Sequence, residues 1–429
     1  MRVLTSWDKG FVGELEVLLA RRQEEIEGVE GTVREIIAEV RRAGDEALLH
    51  YTRQFDGLEI SQGEVEIPPR AWDRAWQQVE QEALSSLRQA AERIESFHHQ
   101  QINRSWFDAN KGVVRGELVR PLARAGIYVP GGKAAYPSSL LMNAIPAKVA
   151  GVEEVVVVTP PSREGVNPYI LAAARIAGVD RVLQIGGAQA IAALAYGTQT
   201  VPQVDIIVGP GNLYVATAKR LLFGVVRIDM LAGPSEILVV SDGSPPAAFI
   251  AADLLSQAEH DEMAWPILIT PSKEFAQGVQ AEMMRMMEIQ PRRGIIEACL
   301  KRHGLIVLVR DVEEGIQIAN HIAPEHLELA LQDPFRWLGE VRNAGAVFLG
   351  PYTPEAVGDY LGGPNHVLPT GGTARFFSPL SVEHFLKRIN LLSFSQQALE
   401  KVKGDVVRLA RLEGLEAHAH AVMVRRKED

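Results

Sequence analysis

Apolar positions recur at helical spacing through residues 11–53 and again through 70–101, where "AWDRAWQQVEQEALSSLRQAAERIESFHH" sets them on a charged background. Both stretches are predicted as amphipathic helices. His98 and His99 close the second and are expected at the surface. From about residue 125 the texture changes. "GIYVPGGKAAYPSSLLMNAIPAKVAGV" is rich in Gly, Pro and Ser before it turns helical. Short continuous apolar runs follow at 155–160, 181–185 and 204–209, separated by helical patterns such as "NPYILAAARIAGV". The rhythm resumes after residue 235, where "EILVVSD", "PILIT", "LIVLVRD" and "AVFLG" alternate with helical segments at 245–260, 273–289 and 312–320. Such alternation predicts βαβ units around parallel sheets, here as two α/β units. Residues 358–372, "GDYLGGPNHVLPTGG", hold five glycines and two prolines and read as a loop. From 381 to the end the pattern is helical again.

Composition narrows the classes. The chain has 429 residues, 47% hydrophobic and 23% charged, which is ordinary for a soluble protein of two or three domains. A net charge of −10 argues against nucleic acid or an anionic membrane as partner. The single cysteine, Cys299, allows neither an internal disulfide nor a cysteine zinc cage, which fits a reducing compartment. The charged N-terminus carries no apolar signal core, and no stretch approaches the ~18 residues of a membrane span. A cytoplasmic protein is expected.

Two strand-to-helix turns are glycine-rich, "QIGGAQAIAALA" and "VGPGNLYVATAKR". Glycine lets the backbone approach a ligand, and a helix N-terminus favours phosphate. Neither turn is G-x-G-x-x-G: the second has Tyr214 at the third glycine's place, so the dinucleotide fingerprint is broken. Helix–strand packing explains these turns about as well.

The polar chemistry gathers in the C-terminal half, where eight of eleven histidines lie at or beyond residue 260. "DLLSQAEHD" puts Gln257 and His260 three apart, on one face of a helix if the helix continues. "IAPEHLELA" places Glu325 beside His326 after Pro324. Neighbours on a strand face opposite ways, so a shared site needs a turn there. The loop carries Asp359 and His366, and "LEGLEAHAHA" carries Glu413, His418 and His420. Each alone reads as a structural residue. Together Gln257, His260, Asp359 and His418 supply two oxygens and two nitrogens, a set that suits Zn2+, with Mn2+ or Co2+ as alternatives. An adjacent carboxylate and imidazole suit acid–base work.

The stretches "VDIIVGPGNLYVATAKRLLFG" and "IDMLAGPSEILVVSD", with "DLLSQAEHD", "APEHLEL" and "VGDYLGGPNHVLPTGGTARF", resemble the histidinol dehydrogenases. These are zinc enzymes that make L-histidine from L-histidinol by way of L-histidinaldehyde with two NAD+. The likeness runs at least from "RPLARAGIYVPGG" to "LEGLEAHAHA". It implies two Rossmann-like but incomplete parallel-sheet domains with helical N- and C-terminal extensions. The implied divisions are a helical extension over 1–22, an α/β domain with the zinc and catalytic residues over 23–127 and 237–380, an NAD-binding α/β domain over 128–236, and a helical tail over 381–429.

By the same resemblance, Gln257, His260, Asp359 and His418 hold one zinc ion per subunit, and Glu325 and His326 are the catalytic pair. Ser235, Glu355, His366 and Glu413 line the substrate pocket with Gln257, His260, His326, Asp359 and His418. Tyr128, Gln189 and Asn212 match the NAD-contacting positions. His418 and Glu413 are implied to act on the partner chain's site in a homodimer. Arg227, in "FGVVRIDML", stands where a small or acidic residue is expected, and is expected to affect local packing at most. A relative that oxidises another small alcohol, such as an anionic diol, is the rival reading. It would want Arg or Lys where Glu355 and Glu413 stand. A non-catalytic metal- or nucleotide-binding scaffold would need no acid–base pair. Cys299 offers a covalent route to an aldehyde, but its apolar helical surroundings are those of a buried, inert thiol.

Overall fold

The computed structural model describes residues 1–20, 28–131, 136–231 and 233–425. The chain divides into two compact units, Met1–Gln101 with Ala123–Phe385, and Ile102–Leu122 with Leu386–Asp429.

The larger unit holds two parallel sheets. One runs in the order Arg2–Thr5, Leu305–Leu308, Trp265–Thr270, Glu236–Ser241, His326–Ala330, Ala346–Leu349. The other runs Arg181–Leu183, Glu154–Val158, Arg124–Tyr128, Ile206–Val208, Arg227–Ile228. The central strands are buried along their length, as strands covered on both faces must be. This is why they read as unbroken apolar runs rather than alternating ones. Helices Glu30–Ala43 and Asp45–Asp56 pack on helix Gly187–Tyr196 of the second sheet. Val33, Ile36, Val40, Leu48 and Tyr51 thereby join Tyr128, Ile185, Ile191 and Val215 in one core. No helix among the described residues is long and apolar enough to cross a membrane.

The smaller unit is an antiparallel sheet of Leu386–Phe394, Val113–Pro121 and Trp106–Asn110, with helices Gln396–Leu412 and Glu416–Met423 following. The sequence pattern missed this sheet and read the chain from 381 as helical throughout. In "LKRINLLSF" the apolar residues follow no strict alternation, and only nine residues of pairing with Val113–Pro121 make it a strand. Three further expectations are corrected. The region read as an N-terminal helical extension begins with a strand, Arg2–Thr5, at the edge of the larger sheet, too short to show a period; residues 21 and 22 of that extension lie outside the described residues. Asp359 sits on the short helix Glu355–Tyr360, not in a loop. His98 is fully buried, its Nδ1 2.7 Å from the Ile94 carbonyl, while His99 is exposed as expected.

Candidate active site

Glu325, His326 and Glu236 gather at the amino ends of two neighbouring strands of the six-stranded sheet. His326 opens one strand and Glu236 the other. Just before His326 the chain leaves helix Val312–Ile322 through Ala323, in the left-handed region at φ 49. Glu325 therefore precedes the strand, is not bound by its alternation, and shares the site with its neighbour. His326 Nδ1 lies 3.6 Å from Glu325 Oε2 and 3.5 Å from Glu355 Oε1.

The tautomer of His326 follows from its strongest bond. Nδ1 lies 2.8 Å from the Glu236 carbonyl oxygen, which can only accept, so Nδ1 carries the proton. Nε2 then bears the lone pair, and it is buried without a partner among the described residues. Glu325 and Glu236 brace each other: the Glu236 N–H donates to Glu325 Oε2 at 2.8 Å, and the Glu325 N–H to Glu236 Oε2 at 3.4 Å. Glu236 Oε1 also accepts the Gly371 N–H at 3.0 Å, which ties the glycine-rich loop to the sheet.

Helix Glu355–Tyr360 supplies two more carboxylates one turn apart. The Glu355 N–H donates to Glu328 Oε1 at 2.9 Å, and Asp359 Oδ1 lies 3.6 Å from His366 Nδ1. Ligand atoms of His326, Glu355 and Asp359 all fall within 4.8 Å of one another, close enough to share an ion. Gln257 is fully buried. With its amide nitrogen toward Glu355 Oε1 (3.1 Å) and the Glu236 carbonyl (3.2 Å), both acceptors are satisfied. His260 differs from the helical expectation: helix Ala247–Ala258 stops before it, and the exposed imidazole sits on the following turn. It remains near enough for its charge to act on Asp359 and His326. Ser235 is half-buried and precedes the Glu236 strand. Glu413 and His418 belong to the smaller unit, where both are exposed.

Burial dominates the electrostatics. It pushes the Glu325 carboxyl well above the usual range, with the Glu236 and Asp359 charges adding to it. It does the same for Glu355 and Glu328, each reinforced by neighbouring carboxylates. It lowers the His326 imidazole to about 4. Burial would raise Asp359 as well, but its close pairing with His366 and the charges of His366, His326 and His260 hold it below the usual carboxylate range. Carboxyls raised this far hold their protons unless a cation beside them, a metal ion or a protonated amine, offsets the charge.

The glycine-rich turns meet at the carboxyl ends of the five-stranded sheet. Tyr128 ends its strand, and its hydroxyl accepts the Gly187 N–H at 3.2 Å. Gln189, in the first turn of helix Gly187–Tyr196, is 1% exposed, and neither its amide nitrogen nor its oxygen has a partner among the described residues. Asn212 caps helix Leu213–Leu222: its Oδ1 accepts the Val215 N–H at 3.1 Å. Gly209 has φ 104, and a Cβ there would lie 2.2 Å from the Tyr128 carbonyl oxygen, so only glycine fits. A buried ion pair holds this turn. Lys219 Nζ donates to Asp229 Oδ1 at 2.5 Å and to the Gly209 carbonyl at 2.9 Å, and Asp229 Oδ2 accepts the Gly209 N–H at 2.8 Å.

Known proteins carry the same pattern end to end. The histidinol dehydrogenase family model matches residues 19–426. The chain belongs to the histidinol dehydrogenase family. Its members are oxidoreductases of histidine biosynthesis. The chain is 52% identical over 429 residues to the histidinol dehydrogenase of Syntrophotalea carbinolica, covering 100% of each. It is 53% identical to that of Geobacter metallireducens, covering 100% of this chain and 98% of the relative. The crystal structure of histidinol dehydrogenase from Elizabethkingia anophelis superposes with a TM-score of 0.93 at 34% identity, covering 99% of this chain and 98% of that one.

Among the residues gathered here, sequence reasoning passed over Glu236, Glu328 and the Lys219–Asp229 pair. The signal was present for the two glutamates. Each is a carboxylate inside a run otherwise fit only for a buried strand, "EILVVS" and "HLELA". Lys219 and Asp229 gave none, because ten residues separate them and each looks like a surface charge. Arg227 is exposed at the start of its two-residue strand.

Proposed function

We propose that the chain oxidises L-histidinol through L-histidinaldehyde to L-histidine, with two NAD+ and one zinc ion per subunit. The observation that carries this reading is His326, whose Nε2 is buried without a partner among the described residues while its Nδ1 lies 3.6 Å from Glu325 and 3.5 Å from Glu355. The zinc would be held by Gln257, His260, Asp359 and His418. The donor set fits: the Gln257 amide nitrogen serves Glu355 and the Glu236 carbonyl, so the amide oxygen is the atom left to face a cation. When bound, zinc supplies a fixed positive charge that orients the substrate's imidazole and amino nitrogens. The nucleotide would contact Tyr128, Gln189 and Asn212, and the buried, partnerless Gln189 amide fits a ligand that supplies hydrogen bonds. NAD+, when bound, takes the hydride of each oxidation.

His326 Nε2 removes the hydroxyl proton in the first oxidation, which its neutral ring permits. Glu325 takes a proton from the water that hydrates the aldehyde, so that the second oxidation yields the acid. Glu355, with Glu413 and Ser235, positions the substrate, and His366 orients Asp359. Acidic groups in this number suit a substrate bearing an amine and an imidazole, and would repel an anionic diol.

Glu413 and His418 complete the site from the partner chain of a homodimer. The smaller unit leaves Phe107, Leu392, Leu409 and Leu412 exposed, a surface of the kind that a second subunit covers. The lone, buried cysteine accords with a cytoplasmic enzyme. The test is stoichiometry: each histidinol consumed should yield two NADH and one histidine. One NADH per histidinol with aldehyde accumulating, or no turnover, would overturn the reading.

A further inference from the structure

Asp56 ends helix Asp45–Asp56, where the helix's own carbonyl ends disfavour a carboxylate. One of its carboxylate oxygens is buried with no hydrogen-bond partner among the described residues. A buried polar atom left unpaired in this way points to a missing partner.

The helix geometry says where that partner would be. Helix Asp45–Asp56 packs on helix Gly187–Tyr196. At its start, the Asp45 N–H donates to Gln199 Oε1 at 2.8 Å, and Asp45 Oδ1 accepts from Thr200 Oγ1 at 3.0 Å. Gln199 and Thr200 lie just beyond the carboxyl end of helix Gly187–Tyr196. The two helices therefore run in opposite senses. Their lengths are 12 and 10 residues. At about 1.5 Å of rise per residue, the end that carries Asp56 reaches the amino end of its neighbour. That amino end holds the Gly187 N–H, bonded to the Tyr128 hydroxyl, and the partnerless Gln189 amide. The Asp56 charge acts directly on the Tyr128 hydroxyl, which agrees with this placement.

We propose that Asp56 accepts hydrogen bonds from the hydroxyls of the adenosine ribose of the dinucleotide, and thereby selects NAD+ over NADP+. This rests on the nucleotide reading of Tyr128, Gln189 and Asn212. A carboxylate is an acceptor only, and two adjacent hydroxyls are the donors that satisfy it. A 2′-phosphate removes one donor and sets a second negative charge beside the first. Sheet-based dinucleotide sites use an acid for the same discrimination, but here it comes from a helix that precedes the sheet in sequence.

The test compares Asp56→Asn and Asp56→Ser with the wild type. Binding of NADH and NADPH is titrated by fluorescence without substrate, and kcat/KM for NAD+ and NADP+ is measured with histidinol. Loss of a charged hydrogen bond should weaken NADH binding roughly ten- to a hundredfold, raise the KM for NAD+ more than it lowers kcat, and cut the NAD+ over NADP+ preference at least as much. The KM for histidinol should not move. The preference is a ratio within one preparation, so partial misfolding cannot mimic its change. A wild type that discriminates beside variants with the same ratio would overturn the assignment alone. A wild type that binds neither nucleotide would overturn the nucleotide reading as well.

Discussion

His326 donates its Nδ1–H to the Glu236 carbonyl at 2.8 Å, and that one bond decides which ring nitrogen can accept a proton. The donor bond also fixes the ring against rotation. In the proposed reaction Glu236 is thus a positioning residue through its main chain, and it braces Glu325 through its side chain and its N–H.

The two catalytic assignments separate by half-reaction. A positioned general base contributes about 10²–10⁴ in rate, so His326→Gln should slow oxidation of histidinol to the aldehyde by that order, with the KM for histidinol little changed. Glu325→Gln should instead slow oxidation of supplied histidinaldehyde more than that of histidinol. Single-turnover rates for each substrate check this. Full-speed aldehyde oxidation by Glu325→Gln would remove that residue from the mechanism.

Lys219 and Asp229 are 3% and 1% exposed in their side chains. Breaking a buried pair from one side leaves an uncompensated charge and costs about 3–5 kcal/mol. Lys219→Met should lose stability of that order in urea unfolding, and Lys219→Met with Asp229→Asn should recover part of it. A loss below about 1 kcal/mol for the single variant, the scale of a surface pair, would contradict the clamp.

Much of the larger unit was legible in the sequence because its strands are buried on both faces. "VVVV", "ILVVS" and "LIVL" could be little else, and the intervening helices are amphipathic or small-residue rich. The antiparallel sheet was not legible. Leu386–Phe394 is exposed from Lys387 onward, so burial imposes no period on it, and its partner lies more than 260 residues earlier at Val113–Pro121. In the site, adjacency in "IAPEHLELA" brought Glu325 and His326 into view, and resemblance gave them their expected roles. Glu236 needed the structure, because two strands distant in sequence place it beside Glu325. The end of the helix before His260 also escaped, since nothing in "SQAEHD" marks a stop.

Cys299 is a second case in which sequence and structure agree. It is buried, and its Sγ lies 3.1 Å from the Ala264 carbonyl. Burial pushes the thiol up to about 12, with the charges of Asp261 and Glu262 adding to it. A raised thiol pKa means the protonated form persists as pH rises, so no reactive thiolate forms between pH 7 and pH 10. A disulfide reagent should leave the native protein unmodified throughout that range and titrate one thiol in urea. Cys299→Ser should keep both half-reactions; selective collapse of aldehyde oxidation would reinstate a covalent route.

Sharing of the site between chains has its own signature. Glu325→Gln and His418→Ala, each inactive alone, are unfolded together and refolded. If His418 acts on the partner's site, each mixed dimer has one intact site. With random pairing about half the dimers are mixed, so roughly a quarter of wild-type activity should return under two-fold symmetry. No recovery in a preparation shown to contain mixed dimers would place His418 in its own chain's site or outside it.

The central claim is metal-dependent oxidation of histidinol, and the most direct measurement follows zinc content and histidinol-dependent NADH formation together through chelation and zinc addition. The account predicts about one zinc per subunit before treatment, activity falling in step with the metal removed, and recovery on adding Zn2+ with the fold intact by circular dichroism. Full histidinol-dependent NADH formation in protein shown to be metal-free would contradict it.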